Sequence, residues 1–326
     1  MSIAYNLKRS FMKRNIDKKN RLHPFDATVC EHFQLPSDAD DAQNNSYYFS
    51  AHGQDGQSMF FRYAERGRAI REVWFSYFVA GKLVYSNKQD LFGKDDCPAT
   101  VRCVETAKLW TLGYQGEEVD FQATFTAVRP IFDFTYDADA NVMAGFLAKE
   151  KWTKSFFKGL QSNSQCHQEQ HGNLQATLRY QDKTYTLDGI AIRDHSYGPR
   201  VWSYMNRHVW ILALLDNGNA LNASYVSYPY IHELQSGYFD QLGGDCRKVC
   251  SLTPMKELAV SGVFPFSVLL NDGTRLDVHC QKSIGIDYAF ENGAYRLNEG
   301  IAEFTVDGVH GRGIVEFGFN SDSSRY

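Results

Sequence analysis

Turn signals of two residues divide this sequence into short segments. Each signal is a glycine after another residue, most often Asn or Asp, and such pairs favour the positive φ angles of tight hairpin turns. Between them, segments such as Gln122–Val128 and Ile301–Val306 alternate apolar and polar side chains, as strands with one buried face do. The pairs are Asp55-Gly56, Ala80-Gly81, Gln115-Gly116, Asn217-Gly218, Asp272-Gly273, Asn292-Gly293 and Asp307-Gly308. This pattern predicts an all-β sandwich or barrel.

Length and composition limit the class of protein to which this chain can belong. The chain has 326 residues, of which 43% are hydrophobic and 22% charged, which excludes disordered, collagen-like and coiled-coil proteins. Aromatic residues make up 14%, as expected for strands. The length predicts two domains or one large β domain, and we expect two β domains at 25–160 and 161–326 after a basic tail at 1–24. A short helix over 142–162, leading into a loop at 161–165, is the expected link between them.

Positive charge is concentrated at the N-terminus. Residues 1–21 carry seven basic side chains and one acidic side chain, although the whole chain has a net charge of −4. A mildly acidic body lacks the clustered Lys and Arg that phosphates require, so we expect no nucleic-acid partner. Neither a signal-peptide core nor an apolar run of membrane-spanning length is present, which predicts a cytoplasmic protein without a membrane span. The basic tail is either a solvated segment or an organelle-targeting peptide.

Motifs for bound metals and cofactors are not found in the sequence. The seven cysteines have no tight metal spacing, so we expect reduced thiols and no metal. Neither Gly-x-Gly-x-x-Gly after a strand nor the phosphate-binding Gly-x-x-x-x-Gly-Lys-Ser/Thr occurs, so no nucleotide cofactor is expected. The metal-binding alternative is that His167, His171, His195 and His208 gather at one barrel mouth.

The most unusual segment follows a predicted strand at Tyr185–Ile192. It gathers the ionisable and aromatic side chains Arg193, Asp194, His195, Tyr197, Arg200 and Trp202. A carboxyl group that faces an apolar pocket has a raised pKa, so Asp194 could deliver a proton at neutral pH. If the strand is regular, His195 points to the opposite face.

An architectural role for the same segment is the alternative. Asp194 could pair with Arg193 or Arg200 and fix the corner where the chain leaves the barrel. Tyr197 and Trp202 would then fill the end of that barrel. Composition alone does not decide between the two roles, because structural ion pairs also shift pKa values.

The same segment resembles the signature of a known protein family. The run Gly189-Ile-Ala-Ile-Arg-Asp-His-Ser-Tyr-Gly-Pro-Arg-Val-Trp202 resembles the Gly-x-Gly-x-Arg-Asp-His-Ser-Trp-Gly-x-Arg-x-Trp signature of a branch of unknown function. That branch is related to the AttH and carotenoid 1,2-hydratase (hydroxyneurosporene synthase) proteins. Arg68–Trp74, Cys166–Gln170 and Gly300–Glu316 are also similar, and the resemblance spans about residues 25 to 320. It implies two tandem lipocalin-like (calycin) antiparallel β-barrels that enclose an apolar cavity.

The resemblance also implies a reaction. Relatives include hydratases that protonate an isolated double bond of an acyclic carotenoid and fungal cyclases that fold a polyene. In the hydratases, an aspartate within Asp-x-Asn-x-Gly is taken as the proton donor, and Asp194 falls on that position. Ser196 stands where the hydratases have Asn, Gly198 is aligned, and Ile192 stands where they place Tyr.

Residue chemistry and resemblance favour one class of mechanism. A protonated alkene is a carbocation, which requires a dry acid and aromatic faces around the charge. We therefore expect a cofactor-independent hydratase, isomerase or cyclase acting on a lipophilic terpenoid or polyketide, with Asp194 as donor and His195 or Arg193 setting its ionisation. The expected substrate-binding side chains are Tyr197, Arg200, Trp202, Tyr204, Trp210 and Trp74. The alternative is a carrier that binds a lipid or pigment in the same cavity without chemistry.

Overall fold

The structure, a computed structural model, describes residues 2–67, 69–93, 96–162, 165–253 and 262–325. Arg68 of the similar motif, and Asn163 and Ser164 of the predicted loop, lie outside the described residues. The described α-helices are α1 (Ile3–Leu22), α2 (Ala27–Glu31), α3 (Ala140–Lys149) and α4 (Lys154–Ser162). The described strands are β1 (Gln43–Gly53), β2 (Gln57–Arg66), β3 (Ile70–Val79), β4 (Lys82–Phe92), β5 (Ala99–Glu105), β6 (Leu109–Gln115), β7 (Val119–Ala127), β8 (Phe132–Asp133), β9 (Cys166–Tyr180), β10 (Lys183–Pro199), β11 (Arg207–Leu215), β12 (Ala220–Tyr228), β13 (Ile231–Asp240), β14 (Cys246–Thr253), β15 (Val263–Leu270), β16 (Arg275–Phe290), β17 (Tyr295–Val306) and β18 (Val309–Asn320).

The predicted hairpins are confirmed. Each of the glycine turn pairs lies at the junction of two consecutive strands that pair antiparallel. Asp307-Gly308 joins β17 to β18 with positive φ at both positions, 47° and 81°. Gln181-Asp182 makes the same kind of turn between β9 and β10, with φ of 48° and 53°. This turn contains no glycine, so a search for glycine pairs misses it.

Two compact units make up the chain, and each has its own sheet. The sheet unit comprises Asp26–Asp133 and Asn163–Arg200, and the barrel unit comprises Met1–Phe25, Phe134–Ser162 and Val201–Tyr326. The predicted domain ranges, 25–160 and 161–326, cross these units. The reason is that β9 and β10 come after residue 160 in the chain but pair with β7 and β1.

The sheet unit is one curled antiparallel sheet, a half-barrel. Its strands follow the order β4-β3-β2-β1-β10-β9-β7-β6-β5, and β8 pairs with β9 at its side. Alternate side chains converge on one face, which we call the core face, and build a cluster that includes Phe49, Phe61, Phe75, Trp110 and Phe121. Each such ring contributes about 1.5–3 kcal/mol when it is fully buried. The strand that carries Asp194, β10, therefore lies near the centre of the sheet, between β1 and β9.

The barrel unit is a closed antiparallel barrel of the strands β11 to β18. Its interior is a packed core of apolar side chains such as Ile211, Val268, Phe304 and Phe317. Together, the barrel and the half-barrel sheet confirm the predicted all-β fold.

Helices of the barrel unit pack on its surface. Met12 of α1, Ala144 and Leu147 of α3 and Phe156 of α4 form one apolar cluster with Ile231 of β13. The predicted basic tail is thus the helix α1, and the predicted linking helix is the pair α3 and α4. Among the described residues, no helix is both long enough and apolar enough to cross a membrane.

Candidate acid–base site

Strand β10 separates the predicted catalytic residues onto two faces of the sheet. Side chains alternate between faces along a strand, so Asp194 and Ser196 share one face while Arg193 and His195 share the other. The core face holds Arg193 and His195, and we call the opposite face the second face. The predicted opposition of Asp194 and His195 is confirmed by their different hydrogen-bond partners.

Asp194 lies in a buried hydrogen-bonded group on the second face. In the antiparallel register, Asp194 is opposite Glu169 and Ser196 is opposite His167, which brings all of them together. His167 lies between the two carboxylates: its Nδ1 is 3.0 Å from Asp194 Oδ2 and its Nε2 is 3.0 Å from Glu169 Oε1. Ser196 donates its hydroxyl to Asp194 Oδ1 at 2.9 Å. We call Asp194, His167, Glu169 and Ser196 the Asp194 cluster.

Burial and charge set the ionisation of this cluster. Burial raises the pKa of Asp194, and its contacts with His167 and Ser196 only partly oppose that rise. Burial alone would lower the pKa of His167, but the carboxylates of Asp194 and Glu169 outweigh it and raise the pKa to about 9. Both shifts favour the protonated forms. The pair therefore holds more protons near neutral pH than the same side chains do in water.

One side chain of the Asp194 cluster is accessible to solvent. The side chain of His167 is 30% exposed, whereas that of Asp194 is 10% exposed and that of Glu169 is fully buried. A dry acid beside one accessible partner is an arrangement that can protonate a bound substrate and recover the proton afterwards.

Three residues of the Asp194 cluster are also potential metal ligands. The ligand atoms of His167, Glu169 and Asp194 lie within 4.8 Å of one another. However, the two carboxylates contact different nitrogens of the His167 ring, so they do not converge on one nitrogen-bound ion. The arrangement fits an imidazole held between two acids better than it fits a metal chelate.

Trp74 lies on the second face as well. Direct cross-strand pairs run from Glu169 through Asp194, Tyr48 and Arg62 to Trp74, across five neighbouring strands. Strands are about 4.8 Å apart, so Trp74 lies roughly 14 Å from Asp194. The Arg62 guanidinium stacks over the Trp74 ring, 4.3 Å from its centroid. The aromatic ring of Trp74 and the charge of Arg62 therefore lie in one row with Asp194 on this face.

Arg193 has a structural partner on the core face. Its guanidinium pairs with Glu31 of α2 and donates to Gln170 Oε1 at 2.8 Å, 4.9 Å from the centroid of the Trp110 ring. The side chains of Arg193 and Glu31 are 2% and 0% exposed. Arg193 therefore forms its buried ion pair with Glu31 rather than with Asp194, the partner expected for it, and Asp194 contacts His167 instead.

His195 and Tyr197 also lie on the core face. The His195 ring stacks on Tyr47 at 4.3 Å between centroids, and its Nε2 is 2.9 Å from Asn45 Oδ1. Burial lowers the pKa of His195 well below its usual value, as does the charge of Arg193. Tyr197 stacks on Phe33 at 4.2 Å. Neither side chain is on the face that carries the Asp194 cluster.

Arg200 remains close to the cluster. It follows β10, and its Nη2 is 3.5 Å from Gln165 Oε1. Its positive charge lowers the pKa values of both Asp194 and His167, against the larger effects described above.

The remaining predicted aromatic residues belong to the barrel unit. Trp202 stacks on Phe290 at 4.4 Å, and the Tyr204 ring lies 6.0 Å from Tyr230. Trp210 lies on β11 beside Val209 and Ile211 of the barrel interior, so it faces outward from the barrel.

A series of hydrogen-bonded side chains near these rings was not predicted from the sequence. Tyr295 Oη is 2.6 Å from His208 Nδ1, and His208 Nε2 is 3.2 Å from Glu316 Oε2. Gly318 leaves the room for this contact, because a Cβ there would lie 2.3 Å from His208 Nδ1 and 2.4 Å from Tyr295 Oη. The Trp202 ring lies 5.8 Å from that of Tyr295.

Sequence reasoning missed two acids and gave His167 a different role. Glu31 and Glu169 are absent from the predicted site, and His167 is predicted only as a metal ligand. A signal for the second-face pair exists, because His167 and Glu169 are two apart in a strand and so share a face. Of the four histidines proposed as metal ligands, His195 lies on the core face, His167 and His171 lie on β9 in register with the second face, and His208 lies on β11 of the barrel unit.

Comparisons with known proteins identify related sequences and folds. Residues 28–321 match the sequence model of a family described as Domain of unknown function (DUF7064). No curated protein matches the sequence.

Solved structures with the same fold include three proteins of low identity. An AttH-like protein from Nitrosomonas europaea has a TM-score of 0.61 and 15% identity, over 87% of this chain and 96% of that one. Kievitone hydratase from Nectria haematococca has a TM-score of 0.56 and 11% identity, over 90% and 94%. CghA, solved with Sch210972, has a TM-score of 0.55 and 9% identity, over 86% and 89%. These likenesses show that the chain shares its fold with these proteins.

Proposed function

This chain belongs to the DUF7064 family, and we propose that it is a cofactor-independent enzyme that transfers a proton to a lipophilic substrate. Asp194 is the proposed donor. Hydration, isomerisation and cyclisation of a terpenoid or polyketide are the candidate reactions. The observation that carries the proposal is the buried contact of Asp194 with His167, in which the pKa values of both side chains are raised.

The proposed first step uses only groups of the Asp194 cluster. The O–H bond of Asp194 breaks, and the electron pair of the substrate double bond forms a C–H bond with that proton. Positive charge then develops on the other alkene carbon. The new Asp194 carboxylate lies 3.0 Å from His167 Nδ1, whose protonated ring stabilises it. Asp194 recovers a proton when water adds to the cation or when a neighbouring C–H bond is lost.

Some of the other predicted residues take supporting roles in this proposal. Trp74 offers an aromatic face on the same side of the sheet, and Arg200 adds positive charge near the carboxylates. Arg193, His195 and Tyr197 act from the core face by holding β10 in register. Trp202, Tyr204 and Trp210 lie in the barrel unit, and the proposal gives them no role at Asp194.

Two observations outside the site support the proposal. One solved protein with this fold is named a hydratase, so hydration is the first reaction to test. The sequence around Asp194 also resembles the signature of a branch related to the carotenoid 1,2-hydratases, and Asp194 falls on the position of the aspartate taken as their proton donor.

The test measures the turnover of the substrate that the wild-type protein carries. Three proteins are compared, namely the wild type, Asp194→Asn and Asp188→Asn. Native mass spectrometry and organic extraction of protein from its own host identify the bound lipophile, and incubation followed by mass spectrometry detects a product. Asp194→Asn should lower turnover by about 100-fold or more while circular dichroism shows an intact fold. The matched control is Asp188→Asn, an exposed carboxylate on the same strand and face, which should keep full turnover.

Each outcome has a distinct meaning. Undiminished turnover by the Asp194→Asn variant refutes Asp194 as the donor. A ligand that all three proteins bind and leave unaltered points instead to the alternative function, a carrier for a lipid or pigment.

A further inference from the structure

The outward face of α1 carries an apolar stripe. Ile3, Leu7 and Phe11 are spaced by four residues, which places them on one side of the helix. They are 81%, 68% and 52% exposed, although they are among the most apolar side chains of the chain. Three large apolar groups on one exposed helix face are unusual for a surface helix, whose exposed side is normally polar.

The other side of α1 fixes this orientation. Met12 is buried against Ala144 and Leu147 of α3, and Ile16 packs against the same cluster. The Nζ of Lys8 donates to the Glu150 carbonyl oxygen at 2.7 Å. The stripe is therefore held facing outward by the packing of the helix on its own unit.

Basic side chains continue the stripe along the helix. Arg14, Lys18 and Arg21 are exposed and follow Phe11 at spacings of three and four residues, so they extend the same face. Residues 1–21 carry seven basic side chains and one acid, Asp17, which pairs with Lys13 at 2.6 Å. One face thus combines an apolar end with a strongly positive end.

We propose that this face of α1 binds the surface of an anionic phospholipid membrane. Ile3, Leu7 and Phe11 would enter the boundary between headgroups and acyl chains, where an amphipathic helix buries its apolar side. Arg14, Lys18 and Arg21 would lie at the charged headgroups, which attract basic residues that follow an apolar anchor. An anionic membrane is the occupant that complements both the apolar and the positive part of the stripe. The proposal does not depend on the Asp194 chemistry.

Vesicle sedimentation tests the proposal without any enzyme assay. The full chain is mixed with vesicles of phosphatidylcholine alone, or of phosphatidylcholine with about one-third phosphatidylserine. We expect sedimentation with the anionic vesicles only, and weaker binding at high salt because surface charges are screened. The variant Ile3→Ser/Leu7→Ser should partition at least about tenfold less, and it spares Phe11, whose ring contacts Trp152.

Two further variants sharpen the result. Reversing the charges of Arg14, Lys18 and Arg21 to Glu should also abolish sedimentation with anionic vesicles. Val263→Ser/Leu242→Ser removes two equally exposed apolar side chains of the same unit, 67% and 60%, and should bind as the wild type does. Wild-type protein that stays in solution with anionic vesicles, or helix variants that bind as well as the wild type, would overturn the proposal.

Discussion

The contact of His167 with two carboxylates predicts a loss of stability above neutral pH. In the unfolded chain this histidine titrates near pH ~6.5. In the folded chain burial lowers its pKa, but the opposing effect of Asp194 and Glu169 is larger and raises the pKa to about 9. A raised pKa means that the folded state binds the proton more tightly than the unfolded state. The stabilisation is therefore complete below about pH 6.5 and is lost as the pH rises through about 9.

The size of the effect follows from the two pKa values of His167. A gap of about 2.5 pH units corresponds to about 3 kcal/mol of unfolding free energy. Because the His167 side chain is 30% exposed, solvent screens part of this interaction, and we expect about 2 kcal/mol. Burial of His171 and His195 acts at acid pH instead, since their lowered pKa values favour the neutral forms and add stability as the pH rises towards 6.5.

Urea unfolding at about pH 6.5 and pH 9 measures the prediction. The wild type and His167→Gln are followed by far-ultraviolet circular dichroism, and the comparison between them removes the effect of titrating groups outside the Asp194 cluster. The wild type should lose about 2 kcal/mol more than His167→Gln over this range. The variant His279→Gln, which removes an exposed histidine, should behave as the wild type. Equal losses in the wild type and His167→Gln would refute the ionised contact.

Two further substitutions probe the packing of each unit. Glu31→Gln should lower the unfolding free energy by about 3–5 kcal/mol, because it leaves the Arg193 guanidinium buried without its carboxylate; a shift in the urea midpoint worth less than about 1 kcal/mol contradicts this, since that is the value of a surface pair. Gly318→Ala should cost about 1–3 kcal/mol, because the added Cβ would collide with His208 and Tyr295. An unchanged melting temperature of the Gly318→Ala variant would show that the two side chains adjust freely.

Local features of the fold could be predicted from the sequence. A turn such as Asp307-Gly308 and the alternation along Ile301–Val306 act over a few residues, because positive φ and side-chain period are properties of short segments. The opposite faces of Asp194 and His195 follow from the same period. The segment Gly189–Trp202 was therefore identifiable as unusual before the fold was known.

Contacts between distant segments could not be predicted in this way. The partner of Asp194 is His167, 27 residues earlier, and it is fixed by the register of β9 against β10, to which their turn at Gln181-Asp182 gives no glycine signal. The partner of Arg193 is Glu31, 162 residues away. The partner of Asp194 thus depended on the register of β9 against β10, and the partner of Arg193 on the position of α2.

The sequence by itself determined the strands, their turns, the two-faced pattern of β10 and the acid at its centre, because each depends on neighbouring residues. Only the tertiary structure decided that β9 and β10 complete the sheet of the N-terminal segment, and that His167 lies between Asp194 and Glu169. It also decided that Ile3, Leu7 and Phe11 face outward. These outcomes depend on which surfaces of distant segments bury each other, and that choice is made by the packing of the whole unit.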